Sequence, residues 1–276
     1  MTRPDFDCFG TTDPGKTRAA NEDHFVIASM RKSVRIRHTS LDDPLLAERL
    51  GGEEAHLLAV ADGVGGRPGG QLASSTAVSG LLEYVGRVTG CYHSMDVDEE
   101  QLFLDRLEEG IRNSHERLHQ EYGDSERAPA TTLTMVVLVS SRAYIVHVGD
   151  SRAYYLRKGR LRQITRDQTI GEYMMDMGAW TEAQAARAAA ASALASVIGG
   201  SELNPSVGLI DLEPGDVLLL CTDGLTKHVS NEGIAEVLGR SASTEAMSRE
   251  LVSRALEGGG SDNVTVVVAR LSAATT

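Results

Sequence analysis

Leu57-Leu58-Ala59-Val60-Ala61-Asp62-Gly63-Val64-Gly65-Gly66 is an apolar run that stops at a carboxylate and continues into glycines. Small and aliphatic residues without alternation predict a strand covered on both faces. Gly63, Gly65 and Gly66 then allow backbone conformations closed to other residues, which places Asp62 on the rim of a sheet. The same pattern returns where Val217-Leu218-Leu219-Leu220-Cys221-Thr222 runs into Asp223-Gly224. It returns again where Gly258-Gly259-Gly260-Ser261-Asp262-Asn263 precedes the apolar run Val264 to Ala269. Carboxylates gathered on one rim repel one another unless a divalent cation lies between them, so these strand-end acids predict a site for a hard metal.

Composition narrows the rest. The chain of 276 residues has no Pro/Ser-rich or charge-run linker, and a single domain over 1–276 is expected. A net charge of −12 argues against nucleic-acid binding, which needs a basic footprint. Cys8, Cys91 and Cys221 are scattered and form no C-x-x-C pair, which predicts neither a disulfide framework nor a zinc site. The first residues lack the apolar stretch of a signal peptide, and no apolar run approaches the ~20 residues that span a bilayer. A monomeric cytoplasmic protein without membrane contact is expected.

Along the chain, a strand near Phe6 to Thr12 ends at the turn Asp13-Pro14-Gly15-Lys16. Arg18, Asn21, Glu22 and Asp23 then precede the strand-like His24 to Ala28. Alone they read as a charged turn; beside a metal rim, Glu22 can hold metal-bound water and Arg18 can receive a phosphate through its planar fork. Arg31 to His38 form a basic patch, read either as a solvated face or as a docking surface for an acidic or phosphorylated partner, and a short helix is expected after Pro44. Gln71 to Val88 and Asp98 to Tyr122 carry apolar residues at helical spacing. His115 and His119 lie four apart on the second helix, a spacing open to zinc; without the Glu of H-E-x-x-H the structural reading is preferred.

From Thr132 to Ile164 the period changes to that of antiparallel strands, with Lys158-Gly159 as a hairpin turn and Gly149-Asp150-Ser151-Arg152 placing another acid at a strand end. Residues 167–200 hold the alanine-rich run from Ala183 to Ala191. Alanine's helix propensity and small buried area predict a loosely packed helical excursion, read as a mobile flap or an ordinary surface helix. Strands at Val207 to Leu212 and Val217 to Leu220, then helices near Asn231 to Leu238 and Ser243 to Glu257, complete a layered α+β chain rather than alternating βαβ units.

The motifs Arg18-x-x-Asn21-Glu22-Asp23, Asp62-Gly63-x-Gly65-Gly66, Thr131-Thr132-Leu133, Gly149-Asp150-Ser151-Arg152, Thr222-Asp223-Gly224-Leu225 and Gly260-Ser261-Asp262-Asn263 stand in one order. In that order and spacing the chain resembles the PPM, or type 2C, metal-dependent protein serine/threonine phosphatases of bacteria over nearly its whole length. The resemblance implies an α+β fold, a four-layer α-β-β-α sandwich with two central antiparallel sheets flanked by helices. It implies a centre of two Mn²⁺ or Mg²⁺ ions at one sandwich edge, where a metal-activated water hydrolyses phosphoserine and phosphothreonine on substrates of a Ser/Thr kinase. By the same resemblance Asp62 bridges both ions and the Gly63 carbonyl ligates one. Asp223 and Asp262 complete the second ion's shell, and Asp150 contacts a third, weaker ion. Glu22 and Asp23 orient coordinated waters, and Arg18 holds the phosphate.

Two departures are visible. Arg67 stands where many bacterial relatives have a histidine after the Gly-Gly pair, and the alanine run replaces their His-Pro-x-x-Asn-like flap stretch. Rival readings fail on residues: Gly149-Asp150-Ser151-Arg152-Ala153 misses the last glycine of G-x-S-x-G, and Pro68 stands where G-x-G-x-x-G needs glycine. On the same fold, the alternative to an enzyme is a non-catalytic phosphoprotein-binding module; the intact set Asp62, Asp223 and Asp262 argues for the enzyme.

Overall fold

The structure, a computed structural model, describes residues 6–31, 54–64, 69–88, 97–123, 128–240 and 242–272. Strands β1 (Phe6–Asp13), β2 (Asp23–Arg31) and β3 (Glu54–Asp62) lead into helices α1 (Gly70–Val88) and α2 (Val97–Tyr122). Strands β4 (Leu133–Val139), β5 (Arg142–Val148), β6 (Arg152–Arg157) and β7 (Arg160–Gln163) follow, then the short helices α3 (Ile170–Asp176) and α4 (Glu182–Ala185). The chain closes with β8 (Ser206–Asp211), β9 (Val217–Cys221), α5 (Asp223–Thr226), α6 (Asn231–Leu238), α7 (Thr244–Glu257) and β10 (Val264–Leu271).

The strands form two five-stranded antiparallel sheets in the orders β1-β10-β9-β6-β7 and β2-β3-β4-β5-β8. Strand periodicity explains why both sheets are apolar on both faces. In β3, Leu57, Ala59 and Ala61 face α1 and α2, while Leu58 and Val60 face the other sheet. In β10, Val264, Val266 and Val268 face α6 and α7, while Val267 and Ala269 point inward. The central run of β3 is therefore covered on both sides, with Leu58 and Val60 fully buried, and each such side chain contributes about 1.5–3 kcal/mol by leaving water. The result is the expected four-layer α-β-β-α sandwich.

Local signals set the element ends. Ser243 accepts a hydrogen bond from the Ala246 N–H and starts α7 one residue later; Ser230 does the same for α6 through Gly233. Lys158 and Gly159 both take positive φ, 51° and 77°, the geometry that matches the twist of a two-residue hairpin.

The alanine run departs from the expectation of a helix. Helix α4 ends at Ala185, and the residues beyond it form a chain of turns, with Ala188 N–H donating to Ala185, Ala191 N–H to Ala188 and Ala193 N–H to Ala190. Pairing across the segment overrides alanine's propensity. Ile170 N–H donates to Ala193 (2.8 Å), Gly171 N–H to Ala191 (2.9 Å) and Ala195 N–H to Gln168 (2.8 Å), so residues 191–195 are pinned against 168–171, with a single β-bridge between Thr169 and Leu194. The basic segment beyond Arg31, the helix expected after Pro44, Cys91, and the Gly65-Gly66-Arg67-Pro68 stretch lie outside the described residues.

Candidate metal centre

Asp62 is the last residue of β3, and its main chain is engaged on both sides. Its N–H donates to Thr132 Oγ1 (3.2 Å), and its carbonyl accepts from the Thr132 N–H and the Thr131 hydroxyl, each at 2.9 Å. The two threonines thus fix the strand end, leaving the carboxylate as the group it presents. At Gly63 a Cβ would lie 2.5 Å from the Gly70 carbonyl, so only glycine lets the strand end meet the start of α1.

Asp223 opens α5 directly after β9 and Thr222. A Cβ at Gly224 would sit 1.9 Å from the Asn263 carbonyl oxygen, and this close approach draws Asp223 up to Asp262. Asn263 then ties in the N-terminal turn. Its side-chain oxygen accepts from the Glu22 N–H, and its amide donates to the carbonyls of Pro14 and Ala20, all at 2.9 Å. Asp150 sits between β5 and β6, after Gly149 at φ 101°.

These elements converge on one cavity of about 150 Å³ at the sandwich edge, lined by Arg18, Glu22, Asp62, Gly63, Asp150, Asp223 and Asp262 together with Val64, Thr132, Ser192, Leu194, Lys227 and Asn263. Of the residues that the resemblance assigns to the centre, all line this cavity except Asp23. Asp23 is buried, with Oδ2 accepting hydrogen bonds from the hydroxyls of Thr222 (2.8 Å) and Thr265 (2.7 Å).

Crowding and burial govern the charges. Burial, followed by the nearby Asp23, Asp223, Asp150 and Asp262, holds the Asp62 carboxyl well above the usual range. Burial pushes Asp23 up to about 7 against the opposing effect of its two threonine hydroxyls. Asp150 reaches about 7 through burial and the charges of Asp223 and Asp167. Asp223 is raised by burial although Lys227 opposes it. Asp262 is the exception: burial pushes it up, but hydrogen bonds from Arg18 and Lys227 prevail and hold it below the usual range.

Such a cluster suits a hard cation. Its donors are all oxygens, and Asp23 Oδ1 and Asp223 Oδ1 are buried without a hydrogen-bond partner among the described residues. Among the described residues no three acidic, His or Cys side chains already converge as a metal cage. Arg18 grips Asp262 with two hydrogen bonds, Nε to Oδ1 at 2.6 Å and a terminal nitrogen to Oδ2 at 2.9 Å.

Several participants were missed by sequence reasoning. Lys227 lines the cavity and follows Asp223 by four residues, an acid-to-base spacing on a helix that signals contact. Thr265, whose hydroxyl donates to Asp23, carries no signal of its own. Ser192 and Leu194 reach the cavity from the pinned alanine segment. His115 and His119 are used structurally: His115 Nδ1 accepts from the Gly199 N–H at 3.1 Å, and His119 Nε2 lies 2.9 Å from the Gly200 carbonyl, clasping that turn to α2.

A family model described as Protein phosphatase 2C matches residues 32–258. The chain belongs to the protein phosphatase 2C family. Asp62, Asp150 and Asp223 fall within the matched residues; Arg18, Glu22, Asp23 and Asp262 lie outside them. Within the family, the serine/threonine protein phosphatase PstP of Mycobacterium tuberculosis is 37% identical over 217 residues, covering 78% of this chain, and the chain spans 40% of the length of PstP. The putative protein phosphatase 2C-type of Streptococcus pyogenes is 33% identical over 216 residues, with 77% of this chain and 84% of that protein covered. The crystal structure of the catalytic domain of PstP in complex with two manganese ions superposes with a TM-score of 0.72 at 30% identity, covering 97% of this chain and 99% of that one. Among the described residues no helix is long and apolar enough to cross a membrane.

Proposed function

We propose that this chain is a protein serine/threonine phosphatase, a single domain over 1–276 with a flap-like insertion at about 167–200, acting on proteins phosphorylated by a Ser/Thr kinase. The observation that carries the reading is the convergence of Asp62, Asp150, Asp223 and Asp262, from separate strand ends, on one polar cavity. Family membership and the two manganese ions of the PstP catalytic domain support it.

In this reading Asp62 and the Gly63 carbonyl, with Asp223 and Asp262, would hold two Mn²⁺ or Mg²⁺ ions, and Asp150 a third. When bound, the ions supply a nucleophilic water at neutral pH and neutralise charge on the phosphoryl oxygens. The chain's own residues do the rest. Glu22, whose main chain is fixed by Asn263 and Gly63, orients water at the cavity wall, and Asp23 supports the same water network from behind Asp62. The Arg18 guanidinium is 42% exposed and already paired with a planar carboxylate, so it can exchange Asp262 for phosphoryl oxygens of the same fork geometry. Burial and mutual repulsion disfavour the charged forms of Asp62, Asp23 and Asp150, so a bound divalent ion favours loss of any proton they carry.

The test is hydrolysis of p-nitrophenyl phosphate and of phosphothreonine peptides by the purified protein, with Mn²⁺, Mg²⁺ or chelator. Turnover that needs the cation is expected on both substrates. Turnover indifferent to chelator would refute the mechanism, and phosphopeptide binding without turnover would favour the non-catalytic module.

A further inference from the structure

Lys227 holds two carboxylates of the cleft at once. Its Nζ lies 2.6 Å from Asp223 Oδ2 and 2.7 Å from Asp262 Oδ2, joining the acid after β9 to the acid before β10. The backbone keeps it there, since the Lys227 N–H donates to the Asp223 carbonyl at 2.9 Å and closes the turn of α5. The two acids keep 22% and 17% of their side-chain surface exposed, whereas the lysine keeps 41%, so the cation approaches the pair from the solvent side. Arg18 is different in kind: its fork takes both oxygens of Asp262 from the N-terminal turn.

We propose that Lys227 is a tethered cation which occupies the Asp223–Asp262 pair in the metal-free protein and competes with a divalent ion for it, so that this lysine sets the affinity of that half of the centre. The inference rests on the reading of the cleft as a divalent-cation centre. An ammonium brings one charge at hydrogen-bond distance, whereas Mg²⁺ or a similar ion brings two at about 2.0–2.1 Å, so the ion prevails when abundant. It must first displace the lysine, whose flexible four-carbon stem can carry the charge outward. The acids thus stay positioned and charge-compensated without metal, and a higher ion concentration is needed to fill that half of the centre.

Calorimetric titration of Mn²⁺ into metal-free parent, Lys227→Met and Lys227→Arg tests this. Lys227→Met, of similar length without charge, should tighten one Mn²⁺ site by about tenfold or more and leave the other unchanged, while Lys227→Arg stays near the parent. Equal affinity in parent and Lys227→Met, or weaker binding in the variant, would overturn the lysine's role while leaving the metal centre standing. Absence of Mn²⁺ binding in the parent would overturn both. Thermal melting guards against a variant that folds poorly: the rise in Tm on adding Mn²⁺ should be larger in Lys227→Met, or in Lys227→Gln, than in the parent, and an equal or smaller rise contradicts the inference.

Discussion

Asp23 and Asp62 stand directly opposite one another across the β2–β3 ladder and face the same side of that sheet, yet their carboxylates have different surroundings. Asp62 lines the cavity, while Asp23 crosses to the other sheet and accepts the hydroxyls of Thr222 and Thr265. The pair therefore joins the two sheets at the point where the cleft opens. Packing of the sandwich and geometry of the centre depend on the same few residues.

Gly224 makes that dependence measurable. A Cβ there would overlap the Asn263 carbonyl, whereas at Gly208 nothing lies within 4 Å. Gly224→Ala is expected to lower stability by about 1–3 kcal/mol through overpacking and to weaken Mn²⁺ binding with it. Gly208→Ala should do neither. Urea melts and Mn²⁺ titrations of the two variants check this, and a neutral Gly224→Ala would remove the close approach as the cause of the Asp223–Asp262 proximity.

His147 supplies a pH dependence separate from the acids of the centre. Buried on β5 between the Thr134 hydroxyl (2.9 Å) and the Arg166 carbonyl (3.0 Å), its imidazole is pushed by burial from the ordinary 6.5 down to about 4. The unfolded chain takes up the proton below pH 6.5 and the folded protein only near 4, so stability is lost as pH falls through that window. The loss amounts to about 3 kcal/mol. Relative to His147→Gln, the parent should lose this amount between about pH 7 and 4 in denaturant melts; parallel pH curves would contradict it.

The legible part of the molecule is set by the information each signal carries. An apolar run broken by Asp-Gly marks a buried strand ending at a rim, which is why Asp62 and Asp223 could be read directly and Asp150 and Asp262 by the same logic. Helical periodicity gave α1, α2, α6 and α7 to within a residue or two. The alanine run misled because propensity is local, while the pairing of residues 191–195 with 168–171 that unwinds it is tertiary. The inward turn of Asp23 was hidden for the same reason: Thr222 and Thr265 lie 199 and 242 residues away in sequence.

Arg18 should matter for catalysis far more than for stability. Its ion pair with Asp262 is partly exposed, so Arg18→Ala is expected to cost less than about 1 kcal/mol of folding stability. In steady-state kinetics on p-nitrophenyl phosphate it should raise KM more than it lowers kcat, the pattern of a group that binds ground-state phosphate. A fall in kcat at constant KM would assign the contact to the transition state, and unchanged kinetics would remove Arg18 from the site.

The central claim is that the strand-end acids form one shared cation centre, and Asp62 is the residue on which it turns. Calorimetric titration of Mn²⁺ into Asp62→Asn, with phosphatase turnover followed on the same samples, tests it most directly. Both tight Mn²⁺ sites should weaken together and turnover should fall to the level seen with chelator. Two Mn²⁺ sites of parental affinity with turnover at the parental rate would contradict the account.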